Sequence, residues 1–399
     1  MGSACSSSKC SSCPCTFDHE EYVVSTIHWT TGHTHQSARW HSENAAPLPR
    51  RTVVADDRMK ANDAYRQACE GTALLWQGDF HHARQLLKAM GRRIDRKTPR
   101  SSTSPSKSFH LHRRSNSHRA RVLGKLLVLL DDDHILALRR APDVRQACLE
   151  AYGPPKGPMV VSLRELLGVI GAHQWRLNGV DVPALGTRIH PHYGVFAPVR
   201  GEYVDLVAHT PLPPATLRNP DTGTAFDLGT GTGVLAAVLA RRGINRVVAT
   251  DINPRALACA RENAHQLALT DRIEVSGPGL FPEGRADLIV CNPPWLPAHP
   301  TSPIEQGVYD PDSTMLHSFL AGLSAHLRPG GEGWLILSDL AEHLGLRTRQ
   351  QLLDAIQAAH LRVVDKIDVK PRHPRSKDAT DPLHAARSAE TTSLWRLTA

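Results

Sequence analysis

Three alternating glycines follow a short apolar run in Phe226-Asp227-Leu228-Gly229-Thr230-Gly231-Thr232-Gly233, and Val234-Leu235 then opens a helical pattern. Glycine at such a turn adopts backbone angles closed to other residues and lets the main chain approach a ligand with no Cβ between them. The unpaired N–H groups of the helix that follows suit an anion. Asp227 stands two residues before the first glycine. The next apolar strand, Val247-Val248-Ala249-Thr250, ends in Asp251, twenty residues after Gly231. A carboxylate at that strand tip accepts hydrogen bonds from ribose hydroxyls. Asp251 also suits the N-cap of a helix containing Pro254–Ala264. Beside a glycine turn we read it as a ligand group.

A second constellation ends a further apolar strand, Leu288-Ile289-Val290-Cys291-Asn292-Pro293-Pro294-Trp295. Asn292 offers an amide oxygen to a substrate amino group. Pro293 and Pro294 have no N–H, so the turn presents carbonyl oxygens only. Trp295 supplies a flat face for a planar amide or base. The plain alternative is a Pro-Pro loop with a half-buried tryptophan. About sixty residues after the glycine turn, at the carboxyl end of a strand, we read these residues as a site.

Taken together, FDLGTGTG, TDIN, VCNPPW and LRPGGEGWLILSD resemble class I methyltransferases, and within them the small-domain group. That group includes release-factor glutamine methyltransferases and several ribosomal-RNA and adenine N-methyltransferases. The resemblance covers about residues 190–399. It implies S-adenosyl-L-methionine as cofactor and nitrogen as the methyl acceptor. It implies that Asp227, Gly229, Gly231 and Gly233 cradle the methionine part and that Asp251 holds the ribose. It implies that Asn292 and the Pro293 carbonyl grip the acceptor nitrogen while Trp295 stacks on its plane. Pro294 and Tyr309 fall on the substrate side, Tyr309-Asp310-Pro311 matching a loop after the proline turn. Phe196–Glu202 matches a segment that closes over the cofactor. Gly279 stands where relatives often place an acid for the adenine amino group. Adenine is then left to backbone and apolar contacts such as Leu280, or is held more weakly. Two acceptors fit a planar nitrogen: a base in RNA or DNA, which we read first, and a protein glutamine on a translation factor or ribosomal protein. A cofactor-binding module without catalysis is favoured only by Gly279. An NAD-dependent oxidoreductase is disfavoured by the GxGxG spacing and the Asn-Pro-Pro-Trp turn.

Apolar strands alternate with helices from Thr224 onward. They fall at Ala225–Leu228, Arg246–Thr250, Arg272–Ser276, Ala286–Cys291, Gly333–Ser338, Leu361–Val369 and Thr391–Leu397. Seven strands so interleaved predict an α/β fold, a doubly wound Rossmann-like sheet over residues 191–399. Residues 1–56 lack periodicity and read as a disordered tail. Residues 57–190 read as a smaller, mainly helical substrate-docking domain. Its signals are an Ala64, Ala68, Ala73, Leu74, Leu75 stripe, an Asp79 N-cap, a short helix at Pro142–Ala151 and a capping box opened by Ser162.

The formal charge of +8 is local: Arg92–Lys125 holds eleven Lys or Arg against Asp95 alone. Such a segment suits contact with a polyanion. Its serines and prolines predict a disordered insert over residues 95–118. Cys5, Cys10, Cys13 and Cys15 match no paired zinc spacing, and the remaining cysteines are scattered. We therefore expect no metal, no disulfide framework and an intracellular, cytoplasmic protein. Gly2 and Cys5 fit a lipidation pattern, read here as part of a Ser/Cys-rich tail instead. No secretory leader and no membrane-spanning run are expected.

Overall fold

The computed structural model describes residues 25–96, 104–217, 223–372 and 377–399. Gly2, Cys5 and the N-terminal cysteine cluster lie outside them.

The C-terminal half is built on a seven-stranded sheet. Its order is Ile273–Ser276, Arg246–Thr250, Thr224–Leu228, Ala286–Cys291, Leu327–Ser338, Thr392–Thr398 and Arg362–Val369. The first five strands run parallel, and Thr392–Thr398 is antiparallel to both its neighbours. Every residue of Thr224–Leu228 and Ala286–Cys291 is buried, as in central strands covered on both faces. Alternation along the strands divides the core in two. Ala225, Val247, Ala249, Leu288, Val290 and Ile336 pack with helices Gly201–His209 and Val234–Arg241. Phe226, Leu228, Val248, Ile289, Cys291 and Leu335 pack with helices Thr314–His326 and Arg349–Ala358.

The N-terminal half departs from the helical expectation. It holds a six-stranded mixed sheet in the order Thr26–Thr31, Thr34–Trp40, Met159–Ser162, Leu126–Leu130, Ala73–Trp76 and Thr52–Ala55. Three of these strands fall inside the segment expected as a tail through residue 56. The supposed stripe from Ala64 to Leu75 is two elements: helix Ala61–Cys69 and strand Ala73–Trp76, parted by Gly71 at φ +93°. Ala73–Trp76 is buried on both faces, so its apolar run carries no alternation to mark it as a strand. Asp79 does cap helix Phe80–Asp95, accepting from the N–H of His81 and His82. Ser162 precedes helix Leu163–Asn178 without a side-chain cap bond, so the capping box does not form.

The basic segment expected as disordered contains helix Pro105–Leu123. Ser104 caps it by accepting from the Lys107 N–H, and Pro105 takes the first-turn position where a missing N–H costs nothing. Phe109, 1% exposed, anchors it. Burying such a ring contributes about 1.5–3 kcal/mol. Ion pairs tie the two halves together: Arg113 to Glu305 at 3.0 Å, Arg255 to Glu43 at 2.6 Å and Arg176 to Glu262 at 2.6 Å. Among the described residues no helix is long and apolar enough to cross a membrane, and Cys69, Cys148, Cys259 and Cys291 are free thiols.

Candidate functional site

Strand register sets one row across the sheet. Leu228 is opposite Thr250 on one side and Cys291 on the other, and Thr250 is opposite Ser276. The next residues, Gly277, Asp251, Gly229 and Asn292, therefore leave the sheet side by side, about 4.8 Å from strand to strand. Chain order reverses between Thr224–Leu228 and Ala286–Cys291. At such a switch point the loops diverge and leave a crevice beyond the carboxyl ends of the strands. The glycine turn and the Asn-Pro-Pro-Trp turn are its two walls.

The glycines have different tasks. Gly229, Gly231 and Gly233 sit at φ of +72°, +56° and +81°, a region that penalises any side chain. A Cβ on Gly229 would collide with Met315 Cε, and one on Gly233 would lie 3.2 Å from Ala260. A Cβ on Gly231 would meet nothing within 4 Å. Gly231 alone of the three opens onto free space, so the ligand-facing position is narrower than the motif suggests. Thr250 O accepts from the N–H groups of Gly229 and Thr230 at 2.9 and 2.8 Å, which fastens the turn to its neighbour strand.

Two carboxylates brace this wall. Asp227, 1% exposed, accepts from Thr230 Oγ1 at 2.6 Å and from the Ala236 N–H at 3.0 Å, joining the turn to its helix. Burial pushes the Asp227 carboxyl up to about 6, and the charge of Asp251 acts in the same direction. Asp251 accepts from the Gly231 N–H at 3.0 Å and the Asn253 N–H at 2.9 Å, and burial raises its pKa as well. It is not the helix cap: Asn253 fills that role by accepting from the Arg255 N–H at 3.0 Å. Leu280 is half-buried against the core, and its carbonyl accepts from Thr250 Oγ1 at 2.5 Å. The apolar side chain that stands out at this edge is Ile252, 74% exposed beside Asp251. Sequence reasoning passed over it, though an apolar residue directly after the acid at a strand tip was a signal. Around Gly279 there is room: the nearest atom to an added Cβ is Phe281 O at 4.0 Å.

In the opposite wall Asn292 Oδ1 accepts from Trp295 Nε1 at 2.9 Å. One lone pair of that oxygen is thereby used and one is left. The Arg200 guanidinium carbon lies 4.8 Å from the centre of the Trp295 ring, a cation–π contact worth about 0.5–2 kcal/mol. Arg200 is held between Glu202 at 2.9 Å and the buried Glu390 at 3.0 Å, and Ser338 Oγ donates to Glu390 at 2.6 Å. Trp295 is thus pinned at its edge and covered over one face, which leaves at most one face for an acceptor. Pro293 is buried and Pro294 half-buried beside it. Phe196 packs on Gly307, so the 196–202 segment touches both sides of the loop after the turn.

Tyr309 lies away from the open part of the crevice. Its ring sits under Arg113, 3.9 Å from ring centre to guanidinium carbon, and 6.4 Å from Phe109, in the junction with the N-terminal half. Leu296 accepts from the Asp310 N–H at 3.0 Å, and Asp310 Oδ2 accepts from the Met315 N–H at 2.7 Å. Met315 in turn lies across Gly229. Asp312 and Ser313 take φ of +56° and +54° to make this connection, a strain of about 1–3 kcal/mol each. Arg200 and Asp310 fall in segments the resemblance had marked, but their bracing roles and Met315 were not foreseen: Arg200 reaches Trp295 and Glu390, and Met315 reaches Gly229, only in the folded chain. The groups the strand ends present along this edge are Gly231, Asp251, Ile252 and Asn292.

Residues 187–361 match the family described as methyltransferase small domain. The release factor glutamine methyltransferase of Cereibacter sphaeroides is 35% identical over 164 residues, 37% of this chain and 57% of that protein. Its counterpart from Mycobacterium leprae is 39% identical over 131 residues, 29% of this chain and 46% of that protein. The ribosomal protein L11 methyltransferase of Pelotomaculum thermopropionicum is 47% identical over 72 residues, 18% of this chain and 23% of that protein. The chain spans 57% or less of the length of these curated relatives. Among solved structures, a ribosomal protein L11 methylase from Lactobacillus delbrueckii subsp. bulgaricus aligns at TM-score 0.33 and 19% identity, covering 51% of this chain and 83% of that one.

Proposed function

We propose, from the match of residues 187–361 to the methyltransferase small domain family, that this chain binds S-adenosyl-L-methionine and methylates a planar amide nitrogen of a protein, a glutamine side chain on a translation factor or ribosomal protein. The observation that carries this reading is the row of strand ends that sets Gly229, Asp251 and Asn292 side by side. The relatives named for release factor glutamine and for ribosomal protein L11 favour a protein acceptor over a nucleic-acid base.

The crevice fits the cofactor. Gly231 gives an approach free of side chains, Asp251 offers a carboxylate beside the turn that would accept from the ribose hydroxyls, and exposed Ile252 would present an apolar surface to a flat ring. When bound, S-adenosylmethionine supplies a methyl group already made electrophilic by its sulfonium. The protein then has to position rather than activate covalently. The free lone pair of Asn292 Oδ1 and the Pro293 carbonyl accept the two N–H bonds of the substrate amide. Holding those hydrogens turns the nitrogen lone pair out of conjugation, raises electron density there and stabilises positive charge as the new bond forms. The N–H proton leaves to water afterwards. Trp295 fixes the direction of the Asn292 amide through its indole N–H, and Arg200 fixes Trp295.

A second acceptor, a base nitrogen of RNA, is favoured by one feature: helix Pro105–Leu123, free of acids, seated on the loop that follows the proline turn. Incubating the protein with methyl-labelled cofactor and separate translation-factor, ribosomal-protein and RNA fractions tests the choice. Label in N-methylglutamine after protein digestion is the expected result. Label confined to nucleosides would overturn the protein reading and establish the second.

A further inference from the structure

We propose that the exposed face of helix Pro105–Leu123 is an RNA-docking surface that holds the phosphate backbone of a structured RNA beside the acceptor entrance. The choice of RNA over DNA rests on the translation-linked reading above; the docking surface itself does not.

Lys107, His110, Arg114, His118 and Arg121 are all exposed on this helix. Their spacings of three, four, four and three residues put them, at 3.6 residues per turn, within an arc of about 80°. The stripe they form is about 21 Å long at 1.5 Å per residue. The sequence from Arg96 to Asp131 contains no acid between those two residues. Among the described residues no carboxylate pairs with Lys107, Arg114 or Arg121; Arg121 instead contacts the His118 ring at 3.0 Å. Neighbouring cations crowd one another. Lys125 is held below the usual lysine range by burial and then by the charge of Arg121. Three cations interleaved with two histidines and no acid make a basic stripe that suits the repeating negative charge of a phosphate backbone.

The other side of the helix is committed inward. Phe109, Val122 and Leu123 are buried, and Arg113 pairs with Glu305 and donates to the His299 carbonyl at 2.5 Å. No large apolar side chain stands on the exposed stripe, so the helix lacks what an interfacial membrane helix needs. Glu305 and His299 lie in the loop that begins at Trp295 and closes through the Leu296–Tyr309 bridge. The helix that carries the stripe is thus fastened by its opposite face to the loop that follows the Asn292 turn.

The test uses the full chain, with no cofactor present in the RNA titrations. A fluorescein-labelled RNA stem-loop is titrated with wild type and with a Lys107→Gln/Arg114→Gln/Arg121→Gln variant, with far-ultraviolet dichroism confirming that both fold. We expect the variant to bind at least tenfold more weakly at low salt. The slope of log affinity against log salt should fall by about two to three, one per lost phosphate contact. Affinity for S-adenosylmethionine should be unchanged in the variant. Equal RNA binding by wild type and variant overturns the proposal. So does equal or tighter binding of wild type to a DNA duplex or to phosphatidylserine vesicles. Because no methyl transfer is read, failure here leaves the acceptor assignment standing, and failure of label transfer leaves the docking surface standing.

Discussion

Asn292→Ala should lower the methyl-transfer rate about a hundred- to a thousandfold while the dissociation constant for S-adenosylmethionine stays within about twofold. The size follows from removing one preorganised hydrogen-bond partner of a charge that develops only in the transition state, about 2.7–4 kcal/mol in comparable sites. The selectivity for rate over cofactor binding follows from place: Asn292 stands on the wall opposite the glycine turn. One side effect must be separated from this. The alanine also strips Trp295 Nε1 of its acceptor, and an indole N–H left unpaired costs about 1–3 kcal/mol of stability. Trp295→Phe removes the same hydrogen bond from its other end, leaving no unpaired N–H and keeping the Asn292 amide, so it shows what loss of the bond alone does. Single-turnover rates of the two variants should differ by at least tenfold, Asn292→Ala being slower. Near-normal turnover in Asn292→Ala would remove the residue from the chemistry.

Cofactor affinity should fall in Asp251→Ala by tenfold or more at neutral pH, and in wild type it should fall progressively below about pH 6. The mutation removes the brace on the Gly231 N–H and, on the proposed reading, a ribose acceptor with it. The pH dependence comes from the Asp227 carboxyl, raised by burial to about 6 from an unfolded value near 3.8. Between those two values the folded state binds the extra proton. Stability therefore increases as pH falls through about 6 toward 4, and the cost of the buried charge is carried in full above 6. A cationic ligand reverses the preference by favouring the ionised carboxylate, so its binding releases a proton and weakens as the solution becomes more acid. Calorimetric titration across pH 5 to 8 reads both effects. A flat profile in wild type would mean that Asp227 does not sense the ligand.

How much of this could be read from the residues differs between the two halves. The glycine turn, Asp251 and the Asn292 turn each end a buried strand whose apolar run is bounded by turn residues, and all seven predicted strands of that half coincide with observed ones to within a few residues except Leu327–Ser338, which starts earlier. The N-terminal sheet was hidden for a physical reason. Its strand Ala73–Trp76 is short and buried on both faces, and it follows a helix whose alanine spacing runs on into it; Gly71, at positive φ in the three-residue link, is the glycine that marks the break. Helix Pro105–Leu123 was hidden by composition, since serine, proline and arginine argue against a core. Three buried apolar residues, a serine cap and an ion pair to Glu305 were enough to order it. Arg200 shows what local reading does not reach: its partners Glu202, Trp295 and Glu390 come together only in the folded chain.

The most direct test of the central claim, that two turns from neighbouring strands form one ligand site, is amide hydrogen exchange with and without S-adenosylmethionine. The account predicts slower exchange in the peptides covering 228–235, 250–253 and 288–298 at the same cofactor concentration. Protection in only one wall of the crevice, or protection that appears instead in the N-terminal sheet, would contradict it.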